Sequence, residues 1–195
     1  MQNKTKEEIL EDLKAVSELR PEMVNFALGM VVEWADKRNF FHPTDGTTFM
    51  KQYLKLMEEY GEAAGNIAKS KFDKVPDDLG DMIVVLVVMC KLNGVEIKIS
   101  NSQLSFSDRE REYSREKIMF LLNLAITDFV KSGDKAVGVA YLICALEAIR
   151  LINLLARSFD LTIEECIAKA LEDILPRKGK MVNRVYVKES DLPTN

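Results

Sequence analysis

At 195 residues, 47% apolar and 30% charged, the chain has ordinary globular composition and is long enough to bury a core as one compact unit or two small ones. Its formal net charge of −4 speaks against a nucleic acid polymer as partner, because backbone binding needs a basic face, while a single nucleotide could still be held through a metal ion. A single histidine, His42, excludes a readily built Ser-His-Asp triad, an ordinary zinc site and a di-iron bundle with Glu-x-x-His motifs.

Five prolines and nine glycines leave room for long helices with short connections, so the expected fold is all-α. Thr5 and Glu8 form a capping box that opens a helix to about Leu19, charged and without the apolar stretch of a signal peptide. Pro21 begins a second helix to about Arg38, with Val24, Phe26, Ala27, Met30, Val31 and Trp34 at helical spacing. The following NFFHPTDG is a loop. From Thr47 or Thr48 to about Ser70, the spacing of Phe49, Tyr53, Leu56, Tyr60, Ala63 and Ile67 predicts a helix with one buried stripe. Pro76 starts the next helix, which is apolar on every side from Met82 to Cys90, the mark of a central helix.

Asn93-Gly94 ends that helix, and VEIKISNSQLSF reads as a linker. A long helix is expected from about Ser107 to Lys131, a turn at SGD, and another helix from Lys135 to Ser158. Thr162 with Glu165 caps a last helix ending before Pro176, and the alternation around Val185 and Val187 suggests a short hairpin or extended arm. The organisation expected is thus an N-terminal helix (1–20), the acidic helices (21–96), a linker (97–106), a second helical half (107–175) and a basic tail (176–195). Cys90, Cys144 and Cys166 have no Cys-x-x-Cys spacing and read as buried thiols. The longest uncharged apolar run, Ala136–Leu146, is far short of the roughly 20 residues a membrane span needs. A cytoplasmic protein without a membrane partner is expected.

Two acidic pairs stand out: Glu59 with Glu62, and Asp78 with Asp81. Residues three apart share a helix face, so each pair aims two carboxylates the same way. Glu59 flanks the buried stripe of its helix, Glu62 lies further round, and Glu58 points nearly opposite the stripe. Four carboxylates from two facing helices would make an all-oxygen cage suited to a hard cation such as Mg²⁺, with Mn²⁺ as substitute. Gly61 and Gly80 lie inside the pairs, where glycine costs about 1 kcal/mol of helix stability relative to alanine, and close approach of the two acidic helices would account for them. The plain alternative for any one pair is a solvated acidic face. Around the pairs, Lys55 one turn before Glu59, with Arg38 and Lys51, could touch phosphate. Trp34, Phe40, Phe41 and Tyr53 could stack on a base, and Arg177, Lys178 and Lys180 around Gly179 could close over a triphosphate.

Glu59-Tyr-Gly-Glu62 followed sixteen residues on by Asp78-Leu-Gly-Asp81 and the apolar MIVVLVVMC resembles the signature of the MazG-like, all-α nucleoside triphosphate pyrophosphohydrolases, Glu-x-x-Glu then Glu-x-x-Asp. Asp78 is one methylene shorter than the Glu usual there. Trp34 and Lys55 fall where members often carry them, and the resemblance covers roughly Val24 to Gly94. The tail PRKGKMVNRVYVKESDL is similar to those of phage-type relatives, with Arg184 where glycine is expected. The resemblance implies a metal-dependent cut between the α and β phosphates of a ribo- or deoxynucleoside triphosphate, giving the monophosphate and pyrophosphate. Glu59, Glu62, Asp78 and Asp81 would hold the metal, with Glu59 or Glu62 as general base.

Residues 113–161 look like a faded copy of 51–95, two helices joined by a turn containing Asp-Lys. Aligning Lys117 with Lys55 puts Leu121 and Leu124 over Glu59 and Glu62, and matching helix ends puts Cys144 and Glu147 over Asp78 and Asp81. Two such hairpins make a four-helix-bundle core with additional helices, the second half serving as internal partner where related families use a second subunit. Homo-oligomers remain open, as do two alternatives to an enzyme: a non-catalytic nucleotide- or metal-binding regulator, and a structural helical bundle.

Overall fold

A run of nine apolar residues, 82–90, has no polar side to turn to water, and the fold buries all nine. In the computed structural model, which describes residues 5, 8, 11, 12, 20–135 and 138–192, that run lies in the third of three long helices: α1 (Pro21–Asp36), α2 (Phe49–Ala68) and α3 (Val75–Leu92). Two single-turn helices, α4 (Asn101–Leu104) and α5 (Asp108–Arg111), lead to α6 (Arg115–Lys135), α7 (Val139–Arg157) and α8 (Ile163–Ile174). An antiparallel hairpin follows, β1 (Gly179–Val182) with β2 (Val185–Lys188). The all-α expectation holds, with this hairpin as the only sheet among the described residues.

Helix α3 is the axis, in contact with α1, α2, α7 and α8. Helices α6 and α7 pack along each other, and α6 meets α2 where Tyr60 Oη donates to the Met119 carbonyl (3.0 Å) and where the Phe49 and Phe129 rings lie 6.2 Å apart. The α2–α3 and α6–α7 hairpins thus form the four-helix core, and α1 with α8 covers another side of α3. Helix α7 is long and apolar enough to cross a membrane by length and composition, but 56% of that window is buried inside the fold. Cys90 and Cys166 are buried, which pushes each thiol up to about 12, and Cys144 is half-buried.

Several expectations change. The helix expected from Thr5 to Leu19 lies largely outside the described residues. Within them, Thr5 N donates to Glu8 Oε2 (2.7 Å) and Glu8 N to Thr5 Oγ1 (3.2 Å), as in a capping box. The helix expected from Ser107 breaks after Arg111 and restarts at Arg115, because Ser107 and Glu110 cap a separate turn. The turn expected at SGD is helical instead. Gly133 sits against Phe49 and Tyr141, where a Cβ would fall 2.7 Å from each ring, so this aromatic cluster holds the helix to Lys135.

The two glycines inside the acidic pairs do not join the acidic helices to each other. A Cβ on Gly80 would fall 2.1 Å from the Cys166 carbonyl oxygen, so Gly80 lets α8 approach α3. A Cβ on Gly61 would meet nothing within 4 Å. Gly80→Ala should therefore lower stability by about 1–3 kcal/mol through overpacking, whereas Gly61→Ala should raise it by about 1 kcal/mol through helix propensity, both read as shifts in urea midpoint.

Glu164, in the first turn of α8, is fully buried. Its Oε1 accepts from Arg20 N (3.1 Å), its Oε2 has no partner among the described residues, and burial holds its carboxyl above the ordinary range. A raised folded-state value favours folding while the group is protonated, and that contribution is lost as pH rises through the raised value. Glu164→Gln should match the wild type in melting temperature near pH 4 and exceed it near pH 8.

Candidate active site

Helix α2 begins where Thr48 Oγ1 accepts from Lys51 N (3.2 Å), and this cap sets which residues face α3. Leu56, Glu59 and Ala63 are its buried residues, so Glu59, 4% exposed, sits within the apolar stripe, while Glu58 and Glu62 are exposed. Lys55, one turn back, reaches Glu59 Oε1 at 2.6 Å and Glu58 Oε2 at 3.0 Å. Burial raises the Glu59 carboxyl above its ordinary range, and Lys55 partly offsets this. Burial works against the Lys55 ammonium, yet its bonds to the two glutamates prevail and hold it above its usual value.

The facing carboxylates come from the first turns of α3, just before the chain becomes wholly apolar. Asp78 is buried and accepts from Asn66 Nδ2 of α2 (2.8 Å). Asp81 is pushed up to about 7, by burial first and then by the Glu59 carboxylate. Repulsion therefore couples Glu59 with Asp81, and Glu62 with Asp78, across the helix pair. Asp77 bears on both Asp78 and Asp81, and its buried Oδ1 has no partner among the described residues. The sequence reading passed over Asp77, although its i, i+4 relation to Asp81 was a visible signal.

Among the described residues, no three or more His, Cys, Asp or Glu side chains stand close enough to hold a metal ion. The expected single cage is thus two cross-helix pairs, with Lys55 balancing one charge and Asn66 donating to another. The donor set still fits a divalent cation. It is all carboxylate oxygen, it carries mutual repulsion, and the buried Asp77 Oδ1 is unsatisfied.

Glu59 and Asp81 open into a cavity of ≈ 360 Å³. Lys51, Lys55, Arg177 and Arg184 line it, four cations against those two carboxylates in a chain of net charge −4. Its apolar wall includes Trp34, Phe40, Met181 and Tyr186, with the Trp34 and Phe40 rings 5.1 Å apart and Phe40 and Tyr186 6.2 Å apart. Trp34 Nε1 and Tyr186 Oη are buried without partners among the described residues.

Of the residues singled out from sequence, Trp34, Lys55, Glu59, Asp81 and Arg177 meet at this cavity, together with Lys51 and Phe40. Glu62 and Asp78 stand one turn away from it along α2 and α3, and Phe41 and Tyr53 pack on the core. Arg38 is not in the lining: its guanidinium lies over Trp34 and donates to the carbonyls of Trp34 and Arg177, fastening the C-terminal segment. Lys178 stands 3.9 Å from Glu189, and Lys180 is exposed, both outside the lining. Gln52, Arg184 and Tyr186 were missed, the last two because nothing in sequence shows that the tail folds back onto α2. In the second half, Leu124 is exposed, Leu121 and Cys144 pack on the core, and Glu147 is held by Arg150 (2.8 Å).

Residues 47–106 match the MazG nucleotide pyrophosphohydrolase domain family. An uncharacterized 18.2 kDa protein in the rep-hol intergenic region of Haemophilus phage HP1 (strain HP1c1) is 39% identical over 66 residues, 34% of this chain. The chain thus spans 39% of that relative's length. No solved structure matches. The matched segment contains both acidic pairs and all of α2 and α3. Through that segment, the chain is similar to the MazG nucleotide pyrophosphohydrolase domain family.

Proposed function

We propose that this protein hydrolyses nucleoside or deoxynucleoside triphosphates between the α and β phosphates, releasing the monophosphate and pyrophosphate. The observation that carries the reading is the cavity that joins an aromatic wall, four cations and the Glu59–Asp81 pair. An aromatic wall takes a base, and surplus positive charge takes a polyphosphate. Such substrates belong to the cytoplasm.

Glu59, Glu62, Asp78 and Asp81 would hold the divalent cation, Mg²⁺ or Mn²⁺. When bound there it supplies Lewis-acid stabilisation of charge developing on phosphate oxygens. The remaining work falls to side chains of the chain itself. Lys51 and Arg177 draw the phosphates in, and the apolar wall excludes water other than the nucleophile. Water attacks the α phosphorus, the bond to the bridging oxygen breaks, and pyrophosphate departs. The water's proton passes to a carboxylate. Glu59 or Glu62 is the base proposed for this step. Lys55 offsets part of what burial costs the Glu59 carboxylate.

A second reading, a nucleotide-binding regulator without turnover, draws on the carboxylates standing as pairs rather than as one cluster. Pyrophosphate release from eight ribo- and deoxynucleoside triphosphates, with Mg²⁺ and with chelator, separates the two. The enzyme reading expects Mg²⁺-dependent release, abolished by Glu59→Gln or Asp81→Asn with helical content unchanged. Nucleotide binding without release favours the regulator.

Lys55→Met should lower stability by about 1 kcal/mol, a figure kept small because Lys55 is half-exposed, by leaving Glu59 buried without its cation. Adding Glu59→Gln to Lys55→Met should restore most of that loss. Equal losses in the single and double variants, followed by thermal melts, would show that the pair is not coupled.

A further inference from the structure

The β1–β2 turn requires two left-handed residues, and the chain supplies Asn183 (φ 50°) and Arg184 (φ 65°). Two-residue hairpin turns of this type favour Asn followed by Gly, because a Cβ at positive φ is strained. Asn183 fits that rule and Arg184 does not. The strained turn is pinned at several points. Arg184 N donates to the Asp45 carbonyl (2.8 Å), Asn183 N donates to Asp45 Oδ1 (3.1 Å), and the Arg184 carbonyl accepts from Lys51 Nζ (2.8 Å). Met181 N donates to the Arg38 carbonyl (2.7 Å), and Tyr186 lies against Phe40. These contacts hold the hairpin as a fixed wall of the cavity and bring Arg184 into its lining.

Two of the other three cations there already hold protein groups, and the third bears on the acidic pair. Lys51 donates to the Arg184 carbonyl, Lys55 is paired with Glu58 and Glu59, and Arg177 acts electrostatically on Asp81. Arg184 lines the same cavity, is exposed, and its side chain has no hydrogen-bond or ionic partner among the described residues. An outlier backbone held in place at a cavity wall points to use of its side chain.

We propose that Arg184 is a substrate-binding residue whose guanidinium takes the polyphosphate of the nucleotide, the left-handed turn serving to present it. This rests on the nucleotide reading above. The planar guanidinium can make two parallel hydrogen bonds to phosphate oxygens, which an ammonium cannot. The turn would be less strained with glycine, so the proposal separates binding from stability in opposite directions.

The test uses the full chain with Arg184→Gly and Arg184→Asn, since Asn also tolerates the left-handed region. Three readouts are needed: melting temperature without nucleotide, KM and kcat for the best triphosphate, and the affinity of inorganic tripolyphosphate by calorimetry. The expected result for Arg184→Gly is an equal or higher melting temperature, with KM and the tripolyphosphate Kd both raised about tenfold or more and kcat little changed. Arg184→Asn should lose binding to the same extent, and it decides the matter if the glycine variant melts lower. Unchanged KM in both variants of an active enzyme overturns the role of Arg184 and leaves the hydrolase reading standing. If the wild type releases no pyrophosphate, tripolyphosphate affinity still decides: a weaker Kd in both variants supports Arg184, whereas equal Kd values, or no binding by the wild type, overturn it.

Discussion

The burial of α3 is the constraint on which the rest depends. A helix apolar on every side from Met82 to Cys90 can exist in water only if other helices surround it, and α1, α2, α7 and α8 do so. Its N-terminal turns carry Asp77, Asp78 and Asp81, so the same packing that buries the apolar run draws carboxylates to the edge of a low-dielectric wall. Glu59 reaches that edge from α2. The raised carboxyls of Asp81, Asp78 and Glu59 all have burial as their first cause.

Stability and chemistry pull against each other at this edge. Neighbouring carboxylates repel, and the protein answers with local partners: Lys55 for Glu59 and Asn66 for Asp78. Lys55 and Arg177 relieve Asp81 only in part, and its repulsion from Glu59 remains. Beside the acidic pair, Lys51, Arg177 and Arg184 reverse the sign of the cavity relative to the chain as a whole. A site with anionic and cationic ends of this kind suits a ligand that brings both a cation and a polyanion.

The second helical half serves the first by packing. Phe49, Phe129 and Tyr141 form one aromatic cluster around Gly133, and Tyr60 ties α2 to α6. Where the acidic pairs would have counterparts, Leu121 packs on the core and Glu147 closes an ion pair with Arg150. Arg150 also reaches Glu110 at 2.7 Å, so charge in this half is committed to holding α5 on α7.

The sequence by itself determined the helices and the chemistry of the acidic edge, because both are written in local spacing. A period near 3.6 marked α2 and its buried stripe, the uniform apolar run marked α3, and three-residue steps marked the carboxylate pairs. Only the tertiary structure decided what meets what. That Gly80 faces α8, that Gly133 is helical, and that Arg38 fastens the tail all depend on neighbours distant in sequence. So does the return of the hairpin over α2, which makes Arg184 and Tyr186 part of the cavity. Local periodicity fixes which face of an element is apolar; which partner covers that face is settled by packing among all the elements at once.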